Sequence, residues 1–332
     1  MSFEESRTDT DAESALFEVA TSVKQQLGIN RDQDNLMGWM FVLPNVVMFL
    51  VFLLGPVLFA FFISFQDWNI LKNEGTWVGL TNYIEILQPW PWENNFAALK
   101  DPTVNLWWYS LKNTAVYAIG TVPLQIFGGL AIALLLDKRV RGKKIYRAAY
   151  FMPVMLSGAA SAVMWRWFLA ADGVINGLLE PIGLAHNWAG DPATALGGVM
   201  LMAIWGGIGS NMIFFLAGLQ NIPEELYEAA RIDGASDWEK FRHVTWPNLG
   251  NTSFFVIVMA IISSFQVFGI ALAFSAGGPY YSTTTSVLLI YQRAFEEGQM
   301  GVGAAMAFLL FILIFAFSYY QYRYRQSEEV DY

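Results

Sequence analysis

Residues 35–66 read NLMGWMFVLPNVVMFLVFLLGPVLFAFFISFQ, 32 consecutive positions without a charge between Asp34 and Asp67. About 20 apolar residues of helix cross the ~30 Å hydrocarbon core of a bilayer, so this stretch reads as a transmembrane helix with length to spare. The pattern recurs along the chain. Lys112 and Asp137 bracket 24 uncharged residues, and Asp191 and Glu224 bracket another 32. Composition agrees: the 332 residues are 55% hydrophobic and 14% charged, against about 45–50% and about 25% in a soluble domain, which argues against a soluble single-domain enzyme. With no cysteine there is no disulfide framework, thiolate metal site, iron–sulfur ligand or redox thiol. A net charge of −9 argues against nucleic acid as a partner, because phosphate binding needs concentrated Lys and Arg.

Six helices account for the apolar material, at 37–65, 113–136, 148–170, 196–220, 252–274 and 299–320. The uncharged run after His243 is interrupted by Gly277-Gly278-Pro279 and Thr283-Thr284-Thr285, and Ser286–Gln292 is too short to cross, so it is expected as a short external or re-entrant helix. Orientation follows from the 19 Lys and Arg, of which 14 fall on one side, four on the other and one, Arg166, inside a span. Positive charge favours the cytoplasm, so an all-α membrane protein with both termini cytoplasmic is expected. Its parts are an acidic tail (1–34), a six-helix membrane domain (35–322) and a short cytoplasmic tail (323–332). The first 34 residues hold eight acids against Arg7, Lys24 and Arg31, which is not the basic-then-apolar pattern of a signal peptide. Trp39, Trp107 and Trp108 sit where interface anchors belong, and Arg166 is placed to snorkel outward. Pro44, Pro56, Pro123 and Pro153 are expected to interrupt helices, and the cluster Gly206, Gly207, Gly209 to let backbones approach closely.

The cytoplasmic loop 221–247 is too structured for a passive connector. Pro223 followed by Glu224 and Glu225 starts a helix, Gly234 stops it, and Ser236 with Glu239 has capping-box spacing for a second helix running to about Trp246, before Pro247. Ala229 and Ala230 between Glu228 and Arg231 suit a helix lying in a groove of another protein. A solvated charged face is the competing reading. Acid–base catalysis by Glu224, Glu225 and Glu228 fits poorly on a short loop with no pocket.

This segment resembles the Glu-Ala-Ala loop of permease subunits in ATP-driven, binding-protein-dependent importers. Glu228-Ala229-Ala230, Gly234 and Pro247 meet that pattern in type and spacing. The likeness runs over nearly the whole chain in the form of the larger-subunit branch of sugar permeases, related to the maltose and glycerol-phosphate permeases. It is carried by Pro44, Gly55-Pro56, Val78-Gly79-Leu80, Asn113-Thr114, Pro153, Trp165-Arg166-Trp167, Gly277-Gly278-Pro279 and Gly303-Ala304-Ala305. The resemblance implies a type I importer permease bundle that pairs with a second, related permease. It also implies two copies of a nucleotide-binding ATPase subunit and an external solute-binding protein that delivers solute. Glu228, Ala229, Ala230, Asp233, Gly234 and Pro247 would then couple this chain to the ATPase. The chain lacks the extra amino-terminal spans and large external domain of the maltose version, and the 1–34 tail has no counterpart there.

What is missing agrees with that division of labour. There is no Gly-x-x-x-x-Gly-Lys-Ser/Thr, so ATP and Mg belong to a partner chain and this one is expected to bind no cofactor. His186 and His243 alone do not make a zinc site. An ion-coupled carrier would need a mid-membrane Asp, Glu or Lys, an intramembrane enzyme a nucleophile, base or metal pair, and a scaffold would leave the two-helix loop unexplained. Within the importer reading, a sugar or polyol is the expected solute and a glycerol phosphodiester the alternative. The substrate path is expected along the fourth and fifth spans, at Ser210, Asn211, Ser263, Ser264, Phe265 and Gln266, whose hydroxyls, amides and aromatic face suit a sugar. For each of these residues singly, hydrogen bonding between helices is the competing role.

Overall fold

The computed structural model describes residues 31–69, 74–94, 96–138 and 141–329. Residues 1–30 of the acidic tail, Lys72, Arg139 and residues 330–332 lie outside the described residues. The chain divides after Phe62, and the first span, α1 (Gly38–Ile63), is taken by itself. Pro44 lies inside this helix without ending it. Ahead of Pro56 the helix widens into a π turn, Leu50–Leu54, closed by the Gly55 N–H donating to the Leu50 carbonyl. The wider turn gives the proline ring room against the preceding carbonyls.

The second unit opens with an antiparallel hairpin, β1 (Gln66–Asn69) and β2 (Glu74–Trp77), in register Gln66 to Trp77. The fold is therefore helical with one two-stranded exception to the all-α expectation. Helices α2 (Thr81–Leu87) and α3 (Ala97–Lys100) lead to α4 (Leu106–Asp137). α4 begins seven residues before the expected second span, because Asn105 accepts from the Trp107 and Trp108 N–H groups as a cap and because Lys112 does not end it. The Lys112 ammonium lies 3.8 Å from the centroid of the Tyr109 ring, an accommodation that removes the reason to place a boundary there. Pro123 also sits inside an unbroken helix.

The expected third span is two helices, α5 (Lys143–Met155) and α6 (Gly158–Phe168), bent by 99° at Leu156-Ser157. Pro153 lies in the last turn of α5, and Ser157 starts α6 by accepting from the Ala160 N–H at 3.2 Å. A short helix, α7 (Val174–Leu179), is followed by α8 (Ala195–Gln220), the fourth span. The loop gives α9 (Glu224–Ile232) and a second helical run, α10 (Asp237–Asn248), which is bent by 68° at Leu249 from α11 (Gly250–Phe265). The expected fifth helix, 252–274, is in fact cut at Gln266–Phe268, after which α12 (Gly269–Ser275) begins. α13 (Ser286–Tyr291) is the expected short helix, and α14 (Met300–Glu329) is the last helix of the described residues. Among the described residues four helices are long and apolar enough to cross a membrane, and up to six crossings result if each bent pair counts as one.

Packing explains why these elements hold together. α4 and α8 touch backbone to backbone: a Cβ on Gly129 would lie 2.6 Å from the Asn211 Cβ and 2.9 Å from the Met212 nitrogen. Gly209 meets the Tyr150 carbonyl of α5 in the same way, whereas Gly206 has open space. One buried cluster joins Tyr117, Ala162, Val199, Met202, Ala271 and Phe274, and a second joins Leu130, Leu136, Phe215, Leu219, Leu249 and Val256. Between α12 and α13 the chain folds inward, and Thr283, Thr284, Thr285 and Ser286 are fully buried. Among the described residues their four hydroxyls are all met, unlike that of the neighbouring buried Ser282: Thr283 bonds Ser275 and the Gly278 carbonyl, Thr284 the Gly277 carbonyl, Thr285 the Val267 carbonyl (2.8 Å) and Ser286 the Thr114 hydroxyl (3.1 Å), while the Asn113 amide donates to the carbonyls of Tyr281 (3.1 Å) and Thr284 (3.2 Å). Burial of these four hydroxyls is tolerated because each has a partner.

Candidate translocation groove and coupling loop

A groove of about 580 Å³ opens where the two breaks, Leu156–Gly158 and Gln266–Phe268, face α8. Breaks put irregular backbone and polar groups at membrane depth, which is tolerated where they line a cavity. Ser210, Asn211, Ser263 and Ser264 all line it. The Ser263 hydroxyl donates to the Met259 carbonyl at 2.7 Å and that of Ser264 to the Ala260 carbonyl at 2.6 Å. Both therefore bond within α11 rather than between helices, the usual habit of a mid-helix serine, and each keeps acceptor capacity. Asn211 is 7% exposed, and its amide has no hydrogen-bond partner among the described residues.

Phe265 and Gln266 are not brought to the groove. Phe265 packs the other way, onto the cluster of Trp107, Leu289 and Leu310, and Gln266 is the exposed residue that closes α11. Phe268 takes the aromatic position instead, beside Trp205. The sequence reading also missed the contributions of α4 and α6: Tyr117, Gln125 and Ser161 line the same space. Two signals pointed there, the amide of Gln125 inside a 24-residue uncharged run and the Ser157-Gly158 pair that starts a new helix after Pro153.

From the groove, α8 runs directly into the loop. α9 contains no buried residue. Leu226, Ala229, Ala230 and Asp233 share one of its faces by the three-and-four spacing, and Leu226 and Ile232 are 41% and 87% exposed. The opposite side is tied down: the Tyr227 hydroxyl lies 3.0 Å from the Thr245 Oγ1, and Arg231 pairs with Glu224 at 3.8 Å. The helix ends in a tight turn in which the Ala235 N–H donates to the Ala230 carbonyl at 2.9 Å, with Gly234 at φ +78°. That is a left-handed conformation that glycine adopts at little cost.

Ser236 and Glu239 form a reciprocal capping box. The Ser236 hydroxyl and N–H bonds hold the Glu239 carboxyl below its ordinary range, and the Lys240 hydrogen bond and charge, then Lys138, do the same for Asp237. Pro247 does not stop the second helix. A π turn, Phe241–Thr245, precedes it, the Trp246 N–H donates to the Phe241 carbonyl, and the helix continues to Asn248. Fully buried Leu249 then locks the bend into the cluster of Leu219 and Phe215. The histidines have local roles: His186 pairs with Asp191 at 2.9 Å, and the His243 Nδ1 is 3.1 Å from the Glu239 carbonyl oxygen.

Known proteins place this architecture. The family model for the binding-protein-dependent transport system inner membrane component matches residues 125–327. The chain is 36% identical over 295 residues to the "Probable ABC transporter permease protein YesP" of Bacillus subtilis (strain 168), covering 87% of this chain and 90% of that one. It is 34% identical to the arabinooligosaccharides transport system permease protein AraP of the same organism, with 82% of each chain covered. It is 31% identical to the trehalose/maltose transport system permease protein MalF of Thermococcus litoralis (strain ATCC 51850 / DSM 5473 / JCM 8560 / NS-C), with 82% of this chain and 88% of that one covered. In fold it resembles a chain of a bacterial ABC transporter involved in import of the acidic polysaccharide alginate, with a TM-score of 0.74 at 19% identity over 91% of this chain and 99% of that chain. The chain thus belongs to the family of inner membrane components of binding-protein-dependent transport systems, as a multi-pass permease rather than an enzyme.

Proposed function

We propose that this chain is the membrane-spanning subunit of an ATP-driven importer that moves a carbohydrate inward by alternating access. The observation that carries the reading is continuity: one helix, α8, lines the polar groove at Trp205, Ser210 and Asn211 and passes into α9, a surface helix with no buried residue. Ser210, Asn211, Ser263 and Ser264 offer hydrogen bonds, and Trp205 and Phe268 offer flat apolar faces, which together suit a pyranose. The permease relatives named for arabinooligosaccharides and for trehalose and maltose support a carbohydrate as the solute.

In this reading α5 with α6 makes one span and α11 another, which with the four long helices gives six, and the 14-to-4 distribution of Lys and Arg supports cytoplasmic termini. A second, related permease completes the path, and an external solute-binding protein supplies it. Two copies of an ATPase subunit hold the ATP and Mg. Glu228, Ala229, Ala230, Asp233, Gly234 and Pro247 belong to the coupling loop, in which a short rigid helix seated in the ATPase converts its closure into motion of α8 and α11. The test is uptake of labelled sugars into vesicles holding the permease pair, the ATPase and the binding protein. ATP-dependent accumulation of an oligosaccharide that disappears without the binding protein is expected. Accumulation driven by an ion gradient without ATP would overturn the proposal.

A further inference from the structure

The segment between α2 and α4 carries an aromatic group that the transport reading leaves without a task. Trp90 and Trp92 stack at 4.9 Å with planes 15° apart, and Trp90 leans on Trp108 of α4 at 5.8 Å. Trp92 is 64% and Phe96 52% exposed. Water gives no reason to hold such rings open, and the placement supplies one. Trp108 lies on the same face of α4 as Ile119, which is 75% exposed about three turns further along. Lys112 lies one turn from Trp108 toward Ile119, its ammonium 3.8 Å from the Tyr109 ring centroid, so the stacked rings stand outside the last charge of a membrane-spanning helix, at its outer end.

The polar groups of the segment follow suit. The Trp108 Nε1 donates to the Leu87 carbonyl at 2.9 Å, whereas the indole N–H groups of Trp90 and Trp92 have no acceptor among the described residues. Both acids are exposed but bonded to local groups: the Glu93 carboxylate accepts from the Trp90 N–H at 3.0 Å, and that of Asp101 from the Thr103 N–H at 2.9 Å and its hydroxyl at 2.7 Å. Lys100, exposed in the last turn of α3, is left as the charged side chain of 88–105 with no ion pair or hydrogen bond among the described residues. Flat amphipathic rings, free indole donors and one free ammonium match the headgroup layer, where phosphate and ester oxygens accept and the rings rest on the upper acyl chains.

We infer that Trp90, Trp92 and Phe96 form a membrane foot, seated in the headgroup layer of the outer leaflet, with Lys100 on lipid phosphate. The inference is independent of what the groove carries.

Because the protein has no cysteine, a single introduced one reports its own surroundings. The test places a polarity-sensitive fluorophore on W92C, and separately on K100C, in the assembled complex in nanodiscs of phosphatidylcholine and phosphatidylglycerol. E74C on the hairpin serves as the aqueous reference. The expected result at Trp92 is blue-shifted emission, at least threefold less quenching by iodide than at Glu74, and stronger quenching by a headgroup nitroxide lipid than by one labelled deep in the acyl chain. Label at Lys100 should be quenched by the headgroup nitroxide as well. Water-like emission with full iodide quenching at both sites would overturn the inference. So would shielding that arises only when the solute-binding protein is added, since that outcome would make the segment a protein-docking surface.

Discussion

On the groove side of α11 the Ser263 hydroxyl is exposed and donates to its own helix, so its contribution to the groove is space and an acceptor rather than structure. Ser263→Trp should fill part of the 580 Å³ groove and lower uptake at least tenfold while the complex still co-purifies; unaltered kinetics would remove this face from the path. Asn211 differs, because it lines the groove and its amide makes no hydrogen bond among the described residues, which leaves donor and acceptor open to a solute. Asn211→Leu keeps the volume and removes the hydrogen bonds, and is expected to raise the KM for uptake several-fold with little change in thermal stability. The glycine at 209 has the opposite character. Any side chain there meets the Tyr150 carbonyl, so Gly209→Val should cost about 1–3 kcal/mol by overpacking, read as a lower Tm in detergent.

At the level of elements, the uncharged runs made the long helices legible, because about 20 apolar residues have few other uses. Their ends were less so. Lys112 marks a boundary by charge alone, whereas its ammonium lies over the Tyr109 ring inside the helix, and the breaks at Ser157 and Gln266 leave no mark in hydropathy, since a bent helix buries the same residue types as a straight one. Proline was a poor guide. Pro123 lies in an unbroken helix, and Pro56 and Pro247 follow π turns that absorb the ring. The break at Gln266 also explains why Phe265 and Phe268, three residues apart and on one side of a straight helix, end on opposite sides. The loop was read more fully because its signals are local. Pro223, Gly234 and the Ser236–Glu239 box act within one turn, and each does so in the fold.

The box carries a pH signature. Glu239 is lowered from an ordinary value of 4.5 by its bonds to Ser236. Its contribution is therefore complete above about pH 4.5 and is lost as pH falls through the lowered folded value. Hydrogen-exchange protection of the Ser236 and Glu239 amides should fall on acidification in the native chain, and should be low and pH-independent in Glu239→Gln.

For the whole molecule, the proposed coupling makes the groove and the surface helix two ends of one lever. α8 joins them directly, and α10 and α11 return from the loop through a 68° bend fixed by buried Leu249. In the proposed coupling a displacement of α9 reaches both walls of the groove through two short connections, residues 221–223 toward α8 and the turn at 233–236 toward α10. The orientation can be checked with introduced cysteines at Lys143 and Glu85: in right-side-out vesicles an impermeant thiol reagent should label the second and spare the first.

The measurement closest to the central claim is solute-stimulated ATP hydrolysis by the reconstituted complex carrying Gly234→Val or Ala230→Trp. Valine at φ +78° is strained, and tryptophan at 230 puts a bulky ring beside Ala229 on the exposed face of α9. Both variants should insert normally and either lose the ATPase on purification or hydrolyse ATP without stimulation by solute-loaded binding protein. Wild-type binding and stimulation in both would contradict the account and leave the loop a solvated connector.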